Sequence, residues 1–158
     1  MRKVNFLVED IGASQLSYHL VKCGNSLVTL GYQVIVFYDK ITRHVLRPSF
    51  PTMQRLEGWA QAGITIATSI PSATDILDFP GPQHKLFYVW DLEWMRAPQR
   101  VWGVMYDLFN HPDLQLIART DEHAKAIHNA FDKTPEFVVD NFDVEGIQKV
   151  LANVTTGR

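Results

Sequence analysis

The densest group of chemically competent side chains in this sequence is Tyr88-Val89-Trp90-Asp91-Leu92-Glu93-Trp94, which sets two carboxylates between two indoles. Indoles stack on ring faces and carboxylates accept from hydroxyls, so the pattern suits a sugar or a nucleoside. Asp91 and Glu93 also have the chemistry of a catalytic acid and base pair, a role that depends first on their separation in space. The competing reading is packing, with Trp90 and Trp94 in a core or interface and Asp91 capping a turn. Arg119 follows an apolar run and precedes a helix start, where its guanidinium would meet a carboxylate or phosphate ligand, or pair with Asp91 or Glu93. Gly12 and Ser14 sit in a polar turn that opens a helix, and Asn141 sits in a later turn of the same kind. Free N–H groups at a helix start favour anions. Ser14, Thr120 and Asp143 are also the residue types that cap helices, which is the simpler account of all three.

The remaining reactive residue types add little. His123 and His128 lie about 140° apart around a helix, too far for a shared metal, and no metal site is expected. His19 and Cys23 fall on or beside an apolar helical stripe and read as packing. The turn Glu9-Asp10-Ile11-Gly12-Ala13-Ser14 has one glycine, not the G-x-G-x-x-G of dinucleotide sites, and no G-x-x-x-x-G-K-[ST], H-E-x-x-H or G-x-S-x-G occurs. Nicotinamide, P-loop, zinc-hydrolase and serine-hydrolase chemistry therefore lose their main support.

The elements that must position these residues alternate short apolar β-rich runs with helix-period segments. Val4 to Val8, Val34 to Tyr38, Ile64 to Thr68, Leu86 to Trp90, Leu114 to Ala118 and Phe137 to Val139 read as strands. Leu16, Leu20, Cys23, Leu27 and Leu30 form one helical stripe between Ser14 and Gly31. Further helical segments run from Met53 to Ala62, Ser72 to Phe79, Pro98 to Phe109, Asp121 to Phe131 and from Asp143 onward, with Thr155 to Arg158 expected to fray. Asp39 to Pro51 reads as a long loop, a kind of segment often functional in a compact domain. The pattern predicts a single α/β domain over residues 1–154. It is a three-layer αβα sandwich with a mostly parallel six-stranded sheet in the Rossmann-like order 3-2-1-4-5-6. Ligands bind such sheets at the carboxyl ends of the strands, expected here between the turns after Val8 and Trp90.

A chain of 158 residues, 46% hydrophobic and 20% charged, is long enough to bury a core without staples. Its net charge of −2 provides no global positive field, so nucleic acid is not an expected partner. Cys23, the only cysteine, cannot form an internal disulfide, and the acidic turn after the first strand interrupts any signal-like run. A reduced, cytoplasmic protein with no membrane-spanning segment is expected.

Ile11-Gly12-Ala13-Ser14, the helix after it, and Leu30-Gly31-Tyr32-Gln33-Val34-Ile35-Val36-Phe37 resemble the opening of the amino-terminal domain of GT-B-fold glycosyltransferases. Leu116-Ile117-Ala118-Arg119-Thr120 with the helix after it, and Val139-Asp140-Asn141-Phe142-Asp143, resemble elements late in that domain. Tyr32 stands where the family has histidine, and Phe142 displaces the usual glycine. The resemblance implies an acceptor-side half domain that binds a sugar, a nucleotide or a nucleotide-sugar substrate and requires no cofactor. Gly12, Ser14, Trp90, Trp94, Arg119 and Asn141 would bind and Asp91 or Glu93 would act as base. The family holds its donor chiefly in a second domain, so a complete transferase is not expected. Any turnover would transfer a glycosyl group with help from a partner. Compact single-domain proteins of this look resemble those of tailed phages, which implies the host cytoplasm. A noncatalytic protein that keeps the fold, and uses its aromatic surplus near residues 87 to 109 for a homo-oligomer or protein partner, is the alternative.

Overall fold

The computed structural model describes residues 2–156, which form one parallel sheet between two helical layers. β1 (Lys3–Ile11) leads into α1 (Gln15–Thr29), β2 (Gln33–Ile41) and the short β3 (Thr52–Gln54). β4 (Gly63–Ala67), α2 (Ile70–Asp78), β5 (Pro82–Val89) and α3 (Trp102–Phe109) follow. β6 (Leu114–Ala118), α4 (Asp121–Phe131), β7 (Phe137–Val138) and α5 (Val144–Thr156) complete the chain. The strand order is β3-β2-β1-β4-β5-β6-β7, all parallel.

The order follows the expected Rossmann-like pattern and extends it to seven strands. Position three is held by β3, inside the segment whose pattern reads as a helix from Met53. Only a 3-10 turn, Arg55–Gly58, forms there. Pro51 and the β-branched Thr52 favour extended backbone, and Arg55 pins the turn to the sheet through Asp39 of β2 and Asp75 of α2. The Ile64 to Thr68 strand is therefore β4, hydrogen-bonded directly to β1, with Val4 opposite Ile64 and Leu7 opposite Ala67. The Leu86 to Trp90 strand is β5, one place further out. α5 continues through Thr156, with the Thr155 hydroxyl donating to Leu151, so Thr155 and Thr156 are helical rather than frayed. Gly157 and Arg158 lie outside the described residues.

Period-two alternation along the strands splits the core into two clusters. Phe6, Val8, Val36, Ile66 and Tyr88 face α1 and α5 through Leu20, Leu27, Ile147 and Leu151. Leu7, Phe37, Phe87 and Leu116 face α2, α3 and α4 through Ile76, Phe109, Ile127 and Phe131. α1 starts because Ser14 accepts the Ser17 N–H, and it stops at Gly31, whose φ of +87° lets the Tyr32 N–H return to the Leu27 carbonyl. β1 carries α1 to one face while its neighbour β4 carries α2 to the other, so the crevice of this fold opens between β1 and β4.

Candidate functional site

Two groups of side chains occupy the carboxyl edge, one on each side of the sheet. On the α2 side, the 3-10 turn Glu93–Arg96 that follows β5 swings Glu93 back over the crevice. Its Oε1 accepts the Ile70 N–H at the start of α2, at 3.0 Å. The chain thus places its own carboxylate where this fold commonly receives a phosphate. Burial, aided by the nearby charges of Glu9 and Asp91, raises the pKa of Glu93 above the ordinary carboxylate range. Asp91 is exposed, accepts from the Leu92 N–H at 2.8 Å and pairs with Arg96. These carboxylates share one end of the sheet, but Glu93 is held by backbone and Asp91 by Arg96. The turn after β5 opens beside β4, not beside β1, because β4 lies between them.

On the α1 side, the guanidinium of Arg119, at the end of β6, lies over the Trp90 ring with its Cζ 3.8 Å from the centroid. Its Nε donates to Asn141 Oδ1 at 2.9 Å. Among the described residues no carboxylate forms an ion pair with Arg119. A guanidinium seated over an indole and held at Nε is pre-organised to offer its outer N–H groups to a bidentate anion.

The segment Asp140–Phe142 that completes this group is strained. Asn141 has φ 43° and ψ 44°, and Phe142 follows with φ 54°. Asparagine tolerates this left-handed region, but phenylalanine rarely adopts it. The surrounding structure enforces it: the buried Tyr88 hydroxyl donates to the Val139 carbonyl and accepts the Phe142 N–H at 3.2 Å. The Phe142 ring stacks on Tyr88 with centroids 4.0 Å apart. Burial pushes the Tyr88 hydroxyl up to about 12, so it keeps the proton it donates. Strain of this kind clusters at ligand sites. Beside it, a cleft of about 360 Å³ opens between α1 and this segment, lined by His19, Lys22, Asp140, Asn141 and Asp143 among others.

The residues singled out in the sequence separate clearly in space. Trp90, Arg119 and Asn141 come together. Trp90 serves Arg119 and Phe142 rather than presenting an open face to a ligand ring. Trp94 is buried, edge-on to Phe109 and Phe131, and is core packing. The Gly12 N–H is spent on Ser17 Oγ, and the Ser14 hydroxyl both caps α1 and donates to Ser17 Oγ, so neither offers a free donor. Thr120 caps α4, and Asp143 accepts the Gly146 N–H at the start of α5. Cys23 is buried, and burial together with the Asp143 charge pushes its thiol up to about 12. Three participants have no ligand role in the sequence pattern, in which His19 reads as packing. His19 is half-exposed, with its ring 6.0 Å from Trp90, and Tyr88 and Phe142 shape the strained turn. The one local signal for that turn was Asn141, a residue tolerant of positive φ.

No group of three or more His, Cys, Asp or Glu among the described residues is arranged to hold a metal ion. No helix among them is long and apolar enough to cross a membrane. Comparison with protein-family models, with curated proteins and with solved structures gives no match to this chain.

Proposed function

We propose that this chain is a glycosyltransferase-like domain that binds a phosphate-bearing ligand, a nucleotide or nucleotide sugar, at Arg119 on the α1 side of the carboxyl edge. The observation that supports the reading is the arrangement of Arg119 itself, seated over the Trp90 ring, tied to Asn141 and without an acidic partner among the described residues. The alternative anion position, at the start of α2, is filled by Glu93. Asp91 follows Trp90 directly, and although it belongs to the α2-side group it would accept from the hydroxyls of a sugar that reaches across the carboxyl edge and displaces Arg96. Binding does not require turnover, and Glu93, committed to a backbone N–H, is less suited than Asp91 to act as base.

Titration calorimetry with UDP and UDP-glucose tests the reading. The wild-type chain should bind both, Arg119→Ala should weaken both by at least tenfold, and Asp91→Ala should weaken UDP-glucose alone. Absence of binding at millimolar ligand ends it.

The second reading, a noncatalytic interaction protein, draws on residues 95 to 106, where Met95 and Val104 are 72% and 69% exposed beside the half-exposed rings of Trp102 and Tyr106. Light scattering decides this: a stable oligomer whose association Val104→Asp abolishes favours it, and a monomer that binds UDP does not.

A further inference from the structure

We propose that the face formed by α1 and the 42–51 loop docks single-stranded nucleic acid. This goes beyond the nucleotide reading and does not rest on it. The overall charge of −2 conceals a segregation. Between Ile11 and Gln54 the only acidic residue is Asp39, and its carboxylate is held by Arg55 on the α2 side of the sheet. The same stretch carries Lys22, Lys40, Arg43 and Arg47, all exposed, with His19 and His44 among them.

The fold gathers these residues onto one side. Lys40 alternates with Asp39 along β2 and so points to the α1 side. The loop that follows is tied back onto α1: Asn25 donates to the Arg47 carbonyl at 3.1 Å and accepts from the Ser49 N–H at 2.7 Å and the Ser49 hydroxyl at 2.8 Å. Phe50 anchors its end in the core against Gly24. The cations are therefore carried on a fixed surface rather than on a free tail. The acidic groups that approach it are Asp10, 3.9 Å from Lys40, and Asp140 and Asp143, which line the cleft beyond Lys22. Among the described residues, Lys22, Arg43 and Arg47 form no ion pair.

The aromatic content decides between polyanions. Tyr18, exposed and one helical turn before Lys22, gives a base a ring to stack on between phosphate contacts. Val45, the exposed aliphatic side chain of the loop, is too little for the contiguous apolar face by which a segment enters a bilayer.

Fluorescence anisotropy of the full chain with a labelled oligothymidylate of about 20 nucleotides is the test, run between 50 and 200 mM salt. Neutralising about four phosphates on a single strand gives a log–log salt slope near −2.8, about a 50-fold loss of affinity over that range. The double variant Arg43→Glu, Arg47→Glu should flatten the slope by about 1.4 or more. Tyr18→Ala should weaken binding about tenfold at unchanged slope. Lys125→Glu, on α4 in the opposite layer, should leave binding as it is, and circular dichroism melts verify that each variant folds. Failure to bind at 50 mM salt overturns the proposal, as does a double variant that folds and binds like wild type. Displacement of the strand by UDP would place it at Arg119 and also overturn the proposal. So would recruitment to phosphatidylserine-containing vesicles without oligonucleotide binding.

Discussion

Tyr88→Phe removes a single oxygen and should unmake the strained turn that supports the candidate site. The ring and its stack on Phe142 survive the substitution, so what is lost is the donation to the Val139 carbonyl and the acceptance from the Phe142 N–H. Both partners are buried, Val139 at 4% and Phe142 at 2% exposure, so water replaces the hydroxyl poorly. An orphaned buried group costs about 1–3 kcal/mol, which sets a loss of about 2–6 kcal/mol for the pair. For a domain of this size that lowers Tm by about 4 to 24 °C. Urea unfolding and calorimetry measure it, with Tyr106→Phe, at a partly exposed ring, as the comparison expected within about 0.5 kcal/mol of wild type. Because Asn141 belongs to the same turn, Tyr88→Phe should also weaken UDP binding at temperatures where the protein remains folded. A Tyr88→Phe protein as stable as wild type would falsify the argument that this hydroxyl enforces the left-handed pair.

Three further perturbations follow from the same structure. Glu93 is harder to ionise in the fold than in the unfolded chain, so its contribution to stability is fully present below the unfolded carboxylate pKa and is lost as pH rises through the raised folded value. Thermal melts should therefore show Glu93→Gln gaining on wild type at pH 7, with the gain disappearing below about pH 4; a gain independent of pH contradicts this. The Cys23 thiol, pushed up to about 12, should react with a disulfide reagent at pH 8 only as fast as the protein unfolds, and rapid native-state labelling would refute its burial. Gly63 has φ +113°, and a Cβ there would come within 2.6 Å of the Lys3 carbonyl. Gly63→Ala should lower stability by at least about 1–3 kcal/mol in urea, whereas Gly103→Ala, with open space around its Cβ, should not.

Alternation of β-rich runs with helix-period segments made the three-layer fold readable, because both faces of the sheet are covered and almost every strand is an apolar run. β3 escaped because its three residues carry too little pattern to compete with the helical spacing after Met53. What makes Thr52–Gln54 a strand is tertiary, namely the pairing with Val36 to Tyr38 and the anchoring of Arg55. That short strand determines which segment stands beside β1, so the crevice could be placed at the correct edge of the sheet but not between the correct strands. Trp90 and Trp94 were equivalent in sequence. Trp90 continues the alternation of β5 onto the α1 side, whereas Trp94 falls inside the 3-10 turn Glu93–Arg96, which drives it onto Phe109 and Phe131, a departure that the spacing of the two indoles does not announce. Arg119 was legible as a cation at a strand end, whereas its seat on Trp90 and Asn141 depends on contacts across strands and on a positive φ at Phe142 imposed by Tyr88.

The most direct measurement is a crystal structure of the chain soaked with UDP. The account predicts the diphosphate on the outer N–H groups of Arg119, with the guanidinium still stacked on Trp90 and Asn141 unmoved. A diphosphate bound instead at the start of α2 with Glu93 displaced, or an Arg119 that turns away to pair with a carboxylate, would contradict it.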